Sequence, residues 1–252
     1  MTGGRAAPRV VLFDDLPRHN AMFADELEEA GVEVVGVAST PGELHAIVRS
    51  VAFDVSILDL LVGPEKAMTG LSIGLWLREN RPDVGVVMLT SDDSPFPALR
   101  LSDAGTGGIG YLLKNNLHET DEITAAIELV RTGQDAIAPD ITEQLPGARK
   151  LAERGDRLTP TQLRTIGRVA EGWTTKQIAA ELNLSPKTID ARLTEIFAIL
   201  GVGNGDGTEP GNQRVTAAIL WREGLRDLCA VRAVRSVGWS ASVTSGRPLR
   251  RR

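Results

Sequence analysis

Apolar runs and amphipathic stretches alternate along the first half of the chain. Runs rich in apolar or β-branched residues at Arg9 to Phe13, Glu33 to Ala38, Phe53 to Leu61, Val84 to Leu89 and Ile109 to Leu113 read as strands. Helices fill the intervals. The first places Met22, Phe23, Leu27 and Ala30 on one face and stops at Gly31. The second opens at Thr40-Pro41-Gly42-Glu43, which has the form of a capping box, and ends near Ser50. Three more span Gly70 to Asn80, Pro97 to Ala104 and His118 to Thr132. Five βα units in succession predict an α/β domain over residues 1–132, with a five-stranded parallel sheet covered by helices on both faces.

The pattern then changes. Gly133, Pro139, Pro146, Gly147 and mixed charges up to Arg157 predict a linker over 133–156 holding at most one short helix. Beyond it every periodic stretch is helical. Thr159-Pro160-Thr161-Gln162 caps a helix that buries Leu163, Ile166, Val169 and Ala170 and ends at Gly172. Thr174 to Gln177 repeats the capping logic for a helix carrying Ile178, Ala179 and Leu182. After a turn at Asn183-Leu184, Ser185-Pro186 starts a longer helix with Ile189, Leu193, Ile196, Phe197 and Leu200 on one side. Three helices with a tight corner between the second and third predict a helix-turn-helix, although a small helical packing domain would share the pattern. This all-α domain is expected over 157–228, with an inserted Gly-rich loop at 203–212, a last helix from Arg214 to Leu225, and a basic disordered tail at 229–252.

Composition adds limits. A chain of 252 residues with 42% hydrophobic content can build two cores. Cys229 is the one cysteine, and the N-terminus has too short an apolar run for a leader or membrane span, so a soluble cytoplasmic protein without a membrane partner is expected. His19, His45 and His118 fall one per segment and suggest no metal site. Charge is divided: residues 1–130 hold 9 basic and 20 acidic side chains, net −11, whereas 131–252 hold 19 and 13, net +6. A basic C-terminal half points to a polyanionic partner.

Asp59 lies at the C-terminal edge of the third strand. In an open α/β sheet ligands sit at that edge, although an Asp there can also simply begin a turn. The acidic pair Asp14/Asp15, Thr90 and Lys114 are placed at the ends of the first, fourth and fifth strands and would converge on the same crevice. Gly105, Gly107 and Gly110 fit GxGxxG, but a dinucleotide fingerprint needs a strand before it and a helix after it, and here the order is reversed. A phosphotransferase of the haloacid dehalogenase type would need DxDxT, and positions 61 and 63 are Leu and Gly.

Through FDD, ILDL, LTS and GYLLK the chain resembles the receiver domain of bacterial response regulators, a flavodoxin-like fold, over about residues 8–132. The resemblance implies that Asp59 accepts a phosphoryl group from a sensor histidine kinase. It also implies a Mg²⁺ site made by Asp14, Asp15, Asp59 and the backbone carbonyl of Leu61. Lys114 and the Thr90 hydroxyl would hold phosphate oxygens. Tyr111 occupies the family's aromatic switch position, while the residues alone leave it equally an ordinary half-buried strand aromatic. Two departures stand out: a longer loop after Asp59, and Asn115 where a proline usually follows the lysine.

The second domain, from LTPTQLRTIGRVAEGWTTKQIAAELNLSPKTI through FAILGV, resembles the LuxR/NarL-type helix-turn-helix. That implies a homodimer on double-stranded DNA, contacted by Lys176, Lys187, Thr188, Asp190, Ala191, Arg192 and Thr194. Here too there are departures. The family usually has Lys, His, Asn and Lys where this chain has Asp190, Arg192, Glu195 and Ile199, and it lacks the insertion before Asn212. Together the two resemblances imply a phosphorylation-controlled transcription regulator, not a metabolic enzyme. A signalling adaptor whose helical domain binds protein is the alternative.

Overall fold

The computed structural model describes residues 6–62, 69–105, 107–115, 120–203 and 212–229. His118, nearly all of the predicted 203–212 insertion and the predicted tail beyond Cys229 lie outside them. Two compact units are present. The first is built mainly from the chain up to Thr142 and the second mainly from Glu143 onward.

The first unit holds β1 (Arg9–Phe13), α1 (Pro17–Glu29), β2 (Glu33–Ala38), α2 (Pro41–Ser50), β3 (Val55–Asp59) and α3 (Thr69–Asn80). It continues with β4 (Gly85–Thr90), α4 (Pro95–Asp103), β5 (Ile109–Leu113), α5 (Thr120–Arg131) and β6 (Ala136–Ile137). All neighbouring strands are parallel, in the order β2-β1-β3-β4-β5-β6. The sheet therefore has six strands where five were expected. The sixth is two half-buried residues paired to Gly110 and Tyr111, too short to show a period of two in the sequence.

One face of the sheet is closed by Leu27 of α1 and by Ile123, Ile127 and Val130 of α5, packed on Val10, Leu12, Val55, Ile57, Val87 and Leu89. The expected stripe on α1 needs correcting. Met22 is 65% exposed, and the inward position is taken by Asn20, which is buried. A polar residue fits there because its amide donates to the carbonyls of Asp14 at 2.7 Å and Ala38 at 3.2 Å. The register pairs Phe13 with Leu58, Asp59 with Leu89 and Thr90 with Leu113, so the C-terminal ends of β1, β3, β4 and β5 finish side by side.

The region 133–156 holds a longer helix than the short one expected. After β6 it forms α6, an 18-residue helix from Pro139 to Asp156 with Pro146 inside it. Proline at the first position costs no hydrogen bond. Ile141, Ala148 and Gly155 are buried, and Leu145, Leu151 and Ala152 are half-buried between them at helical spacing. That stripe outweighs the internal proline.

The second unit continues with α7 (Pro160–Ala170), α8 (Thr175–Glu181), α9 (Pro186–Leu200) and α10 (Gln213–Leu220). A π-type turn over Trp221–Leu225 follows α10. The capping boxes at Thr40, Thr159 and Thr174 all form as expected. Between α8 and α9 Asn183 takes a left-handed conformation (φ 51°), and the N–H of Leu184 closes on the Ala179 carbonyl at 2.9 Å. Ile189, Leu193, Ile196, Phe197 and Leu200 are buried, which fixes the inward face of α9.

Candidate functional site

The crevice lies where β1 and β3 are neighbours and the chain reverses its winding, the position at which open α/β sheets bind ligands. Asp14 follows β1, Asp59 ends β3, Thr90 ends β4 and Lys114 follows β5. Each is fixed by the strand before it. The Asp14 N–H donates to the Ala38 carbonyl at 3.3 Å and the Lys114 N–H to the Thr90 carbonyl at 2.7 Å.

Asp14, Asp15 and Asp59 each bring a carboxylate oxygen within 4.8 Å of the others. Lys114 Nζ lies 3.2 Å from both Asp14 Oδ2 and Asp59 Oδ2. Burial pushes the Asp59 carboxyl above its ordinary value; Lys114 opposes that shift, and the nearby Asp14 charge adds to it. The pocket therefore carries more negative charge than its one lysine offsets, and its oxygens suit a hard divalent cation. Leu61 enters through its backbone N–H, which donates to the Asp59 carboxylate. A cavity of about 220 Å³ borders this pocket, lined by Phe23, Ile57, Leu89 and Ile123 as well as Asp14, Asp59 and Lys114.

Gly70 is required by the same corner. A Cβ there would sit 1.9 Å from the Asp59 carbonyl oxygen, so α3 can begin this close to the strand end only with glycine. Thr90 is fully buried, and its Oγ1 accepts the Asp92 N–H at 2.9 Å. Tyr111 is also fully buried, not half-buried, and its hydroxyl donates to the Asp92 carbonyl at 3.5 Å. Both side chains thus end on the backbone of one residue in the β4–α4 loop.

In the second unit Lys187, Thr188, Asp190, Ala191 and Thr194 on α9 are exposed, as is Lys176 on α8, while Arg192 is half-buried. Several of these groups already have partners inside the unit. Thr188 shares a 2.7 Å contact with the N-cap Ser185, and Thr194 donates to the Asp190 carbonyl at 3.1 Å. Asp190 Oδ1 is 3.2 Å from the Thr175 hydroxyl, and Glu195 accepts from Gln162 at 3.4 Å. Arg192 Nη1 is buried without a hydrogen-bond partner among the described residues.

Residues 10–128 match the response regulator receiver domain, and residues 156–206 match the luxR family of bacterial regulatory proteins. The response regulator UvrY of Escherichia coli K12 is 30% identical over 203 residues, covering 78% of this chain and 89% of that protein. The chain belongs to the response regulators. UhpA of the same strain, a transcriptional regulatory protein, is 32% identical over 197 residues, 77% of this chain and 92% of that one. The solved structure of the response regulator RcsB with DNA has the same fold, with a TM-score of 0.56, 21% identity, and coverage of 86% of this chain and 98% of that one.

As a response regulator with a receiver and a luxR-family domain, the chain brings its predicted pocket residues Asp14, Asp15, Asp59 and Lys114 together. Among the described residues no helix is long and apolar enough to cross a membrane. Sequence reasoning missed Asn20, whose amide ties the loop after β1 to the end of β2. It also missed Arg168, which joins α7 to Glu181 of α8 through paired hydrogen bonds and lies 4.7 Å over the Trp173 ring. The signal for Asn20 was present: it sits three and seven residues before Phe23 and Leu27.

Proposed function

We propose that Asp59 accepts a phosphoryl group from a sensor histidine kinase and that this modification controls DNA binding by the second unit. The observation that carries the reading is the strand-end carboxylate with Lys114 at 3.2 Å and two further carboxylates within reach. In the transfer an Asp59 oxygen attacks phosphorus, an O–P bond forms, and the N–P bond to the kinase histidine breaks, leaving the electron pair on the imidazole. Lys114 would shift from its two carboxylates to a phosphate oxygen, and the Thr90 hydroxyl would leave the Asp92 N–H for another. Tyr111 would follow that movement, because both side chains share Asp92.

The three carboxylates fit Mg²⁺, and the Leu61 carbonyl would be a further oxygen ligand, as the family resemblance implies. A bound cation there would offset the repulsion between the attacking carboxylate and the phosphate oxygens. For DNA, Lys176 and Lys187 supply phosphate contacts, while Thr188, Asp190, Ala191, Arg192 and Thr194 lie on or beside the face that would enter the major groove. The protein would act in the cytoplasm as a homodimer on double-stranded DNA.

Treatment with acetyl phosphate or a phosphorylated kinase at millimolar Mg²⁺, followed by mass spectrometry, tests the first half. Phosphate on Asp59 is expected, and phosphate elsewhere or none overturns it. A gel shift against its own promoter DNA over a salt series tests the second, since phosphate contacts make affinity fall steeply with salt. Absence of DNA binding in both phosphorylation states would favour the adaptor alternative.

A further inference from the structure

We propose that Asp190 is the principal base-reading residue of α9, that it selects cytosine, and that Thr175 and Arg214 are positioning residues that hold it for this task. This rests on the DNA-binding reading above. The observation is a chain of hydrogen bonds across three helices. Arg214 of α10 donates through Nη2 to the Trp173 carbonyl at 2.9 Å and through Nη1 to the Thr175 hydroxyl at 3.2 Å. Thr175, the first residue of α8, is in turn 3.2 Å from Asp190 Oδ1.

Donor chemistry sets the direction of the chain. A guanidinium only donates and an ionised carboxylate only accepts, so the Thr175 oxygen takes the proton from Arg214 and its own O–H points to Asp190. Arg214 cannot swing freely either, because its other nitrogen is tied to the backbone ahead of α8. The result is an exposed carboxylate with restricted rotation on the fifth residue of α9, within the N-terminal part that a recognition helix presents to base edges.

A fixed acceptor beside DNA is repelled by phosphates unless a donor meets it. In the major groove the donors are the amino groups of cytosine and adenine. Adenine places its N7 acceptor beside that amino group, which a carboxylate opposes, whereas cytosine presents only C–H there. Cytosine is therefore the matching base. Holding the carboxylate in place means it cannot turn aside when another base occupies the position, so the penalty for mismatch is felt in full.

Selection from a randomised duplex library by the full-length protein, treated with acetyl phosphate and Mg²⁺, tests the assignment. Wild type should select a C·G pair at one fixed position of each half-site, preferred by about tenfold or more. Asp190→Ala should lose that preference and keep the others. Asp190→Asn should move it to adenine, which an amide reads through N6 and N7. Thr175→Val and Arg214→Lys should weaken discrimination at that position and leave the remaining consensus unchanged, an outcome that mere loss of folding does not produce. If Asp190→Ala selects the wild-type consensus, the assignment is overturned while DNA binding stands. If wild type retains no sequence from the library, sequence-specific DNA binding and this inference fall together.

Discussion

The pocket around Asp59 and the outward face of α9 are both built from polar side chains, yet they are constrained in different ways. Each pocket residue stands at the end of a strand whose neighbours fix its backbone, and the carboxylates and lysine also fix one another. Changing any one therefore alters the charge balance of a partly buried cluster. The α9 helix is anchored by its buried Ile189, Leu193 and Ile196, while its outward side chains make exposed hydrogen bonds such as the one from Thr175 to Asp190 at 3.2 Å.

The largest expected effect removes the proposed phosphoryl acceptor. Asp59→Asn should reduce labelling by acetyl phosphate to background while the protein stays folded, because the amide replaces the carboxylate with almost no change in volume. Residual labelling at wild-type rate would mean that the pocket is not the acceptor. Next comes the geometry that shapes it. Gly70→Ala forces a Cβ toward the Asp59 carbonyl, where it would lie at 1.9 Å without backbone movement. A loss of about 2–3 kcal/mol in urea unfolding of the receiver is expected, together with slower labelling. Unchanged stability would show that the start of α3 can move away at little cost.

A smaller effect belongs to the other surface. Lys176 is exposed at the beginning of α8, so Lys176→Ala should leave folding intact and weaken binding to all duplexes alike. The slope of log affinity against log salt should fall by about 1, as for one lost phosphate contact. A change confined to one sequence would assign Lys176 to base reading and erase part of the contrast between the two surfaces.

The parallel sheet and the converging strand ends were legible because apolar runs bounded by turn residues have few alternative arrangements. Helix starts were legible where chemistry is local: Thr40, Thr159, Thr174 and Ser185 each accept the N–H three residues on. What escaped notice depended on tertiary partners. Met22 reads as core, yet Asn20 occupies the inward site because two backbone carbonyls need its amide. Pro146 and Gly147 read as breakers, yet the buried stripe from Ile141 through Ala148 to Gly155 sustains α6. The Arg214–Thr175–Asp190 chain joins residues 15 and 39 apart, and no periodicity marks such a pairing.

The smallest predicted effect concerns the charge stored in the pocket, and its sign follows from burial. Because the folded state holds the Asp59 carboxyl above its ordinary value, folding favours the protonated form over the ionised one. Stability from this residue is fully present below the unfolded value of about 3.8 and is lost as pH rises through the higher folded value. At neutral pH without divalent cations the ionised group is therefore a cost, which Asp59→Asn removes while Lys114 keeps Asp14 as a partner. The variant should melt about 1–3 °C higher than wild type at pH 7 in EDTA, and the gap should close as pH falls below the ordinary carboxylate range. Millimolar Mg²⁺ should narrow the gap at pH 7 as well, since a cation held by Asp14, Asp15 and Asp59 offsets the same charge. A variant less stable than wild type at pH 7 in EDTA would show that the Lys114–Asp59 contact outweighs burial, and the pocket would then be a stabilising feature of the fold instead of a site maintained at its expense.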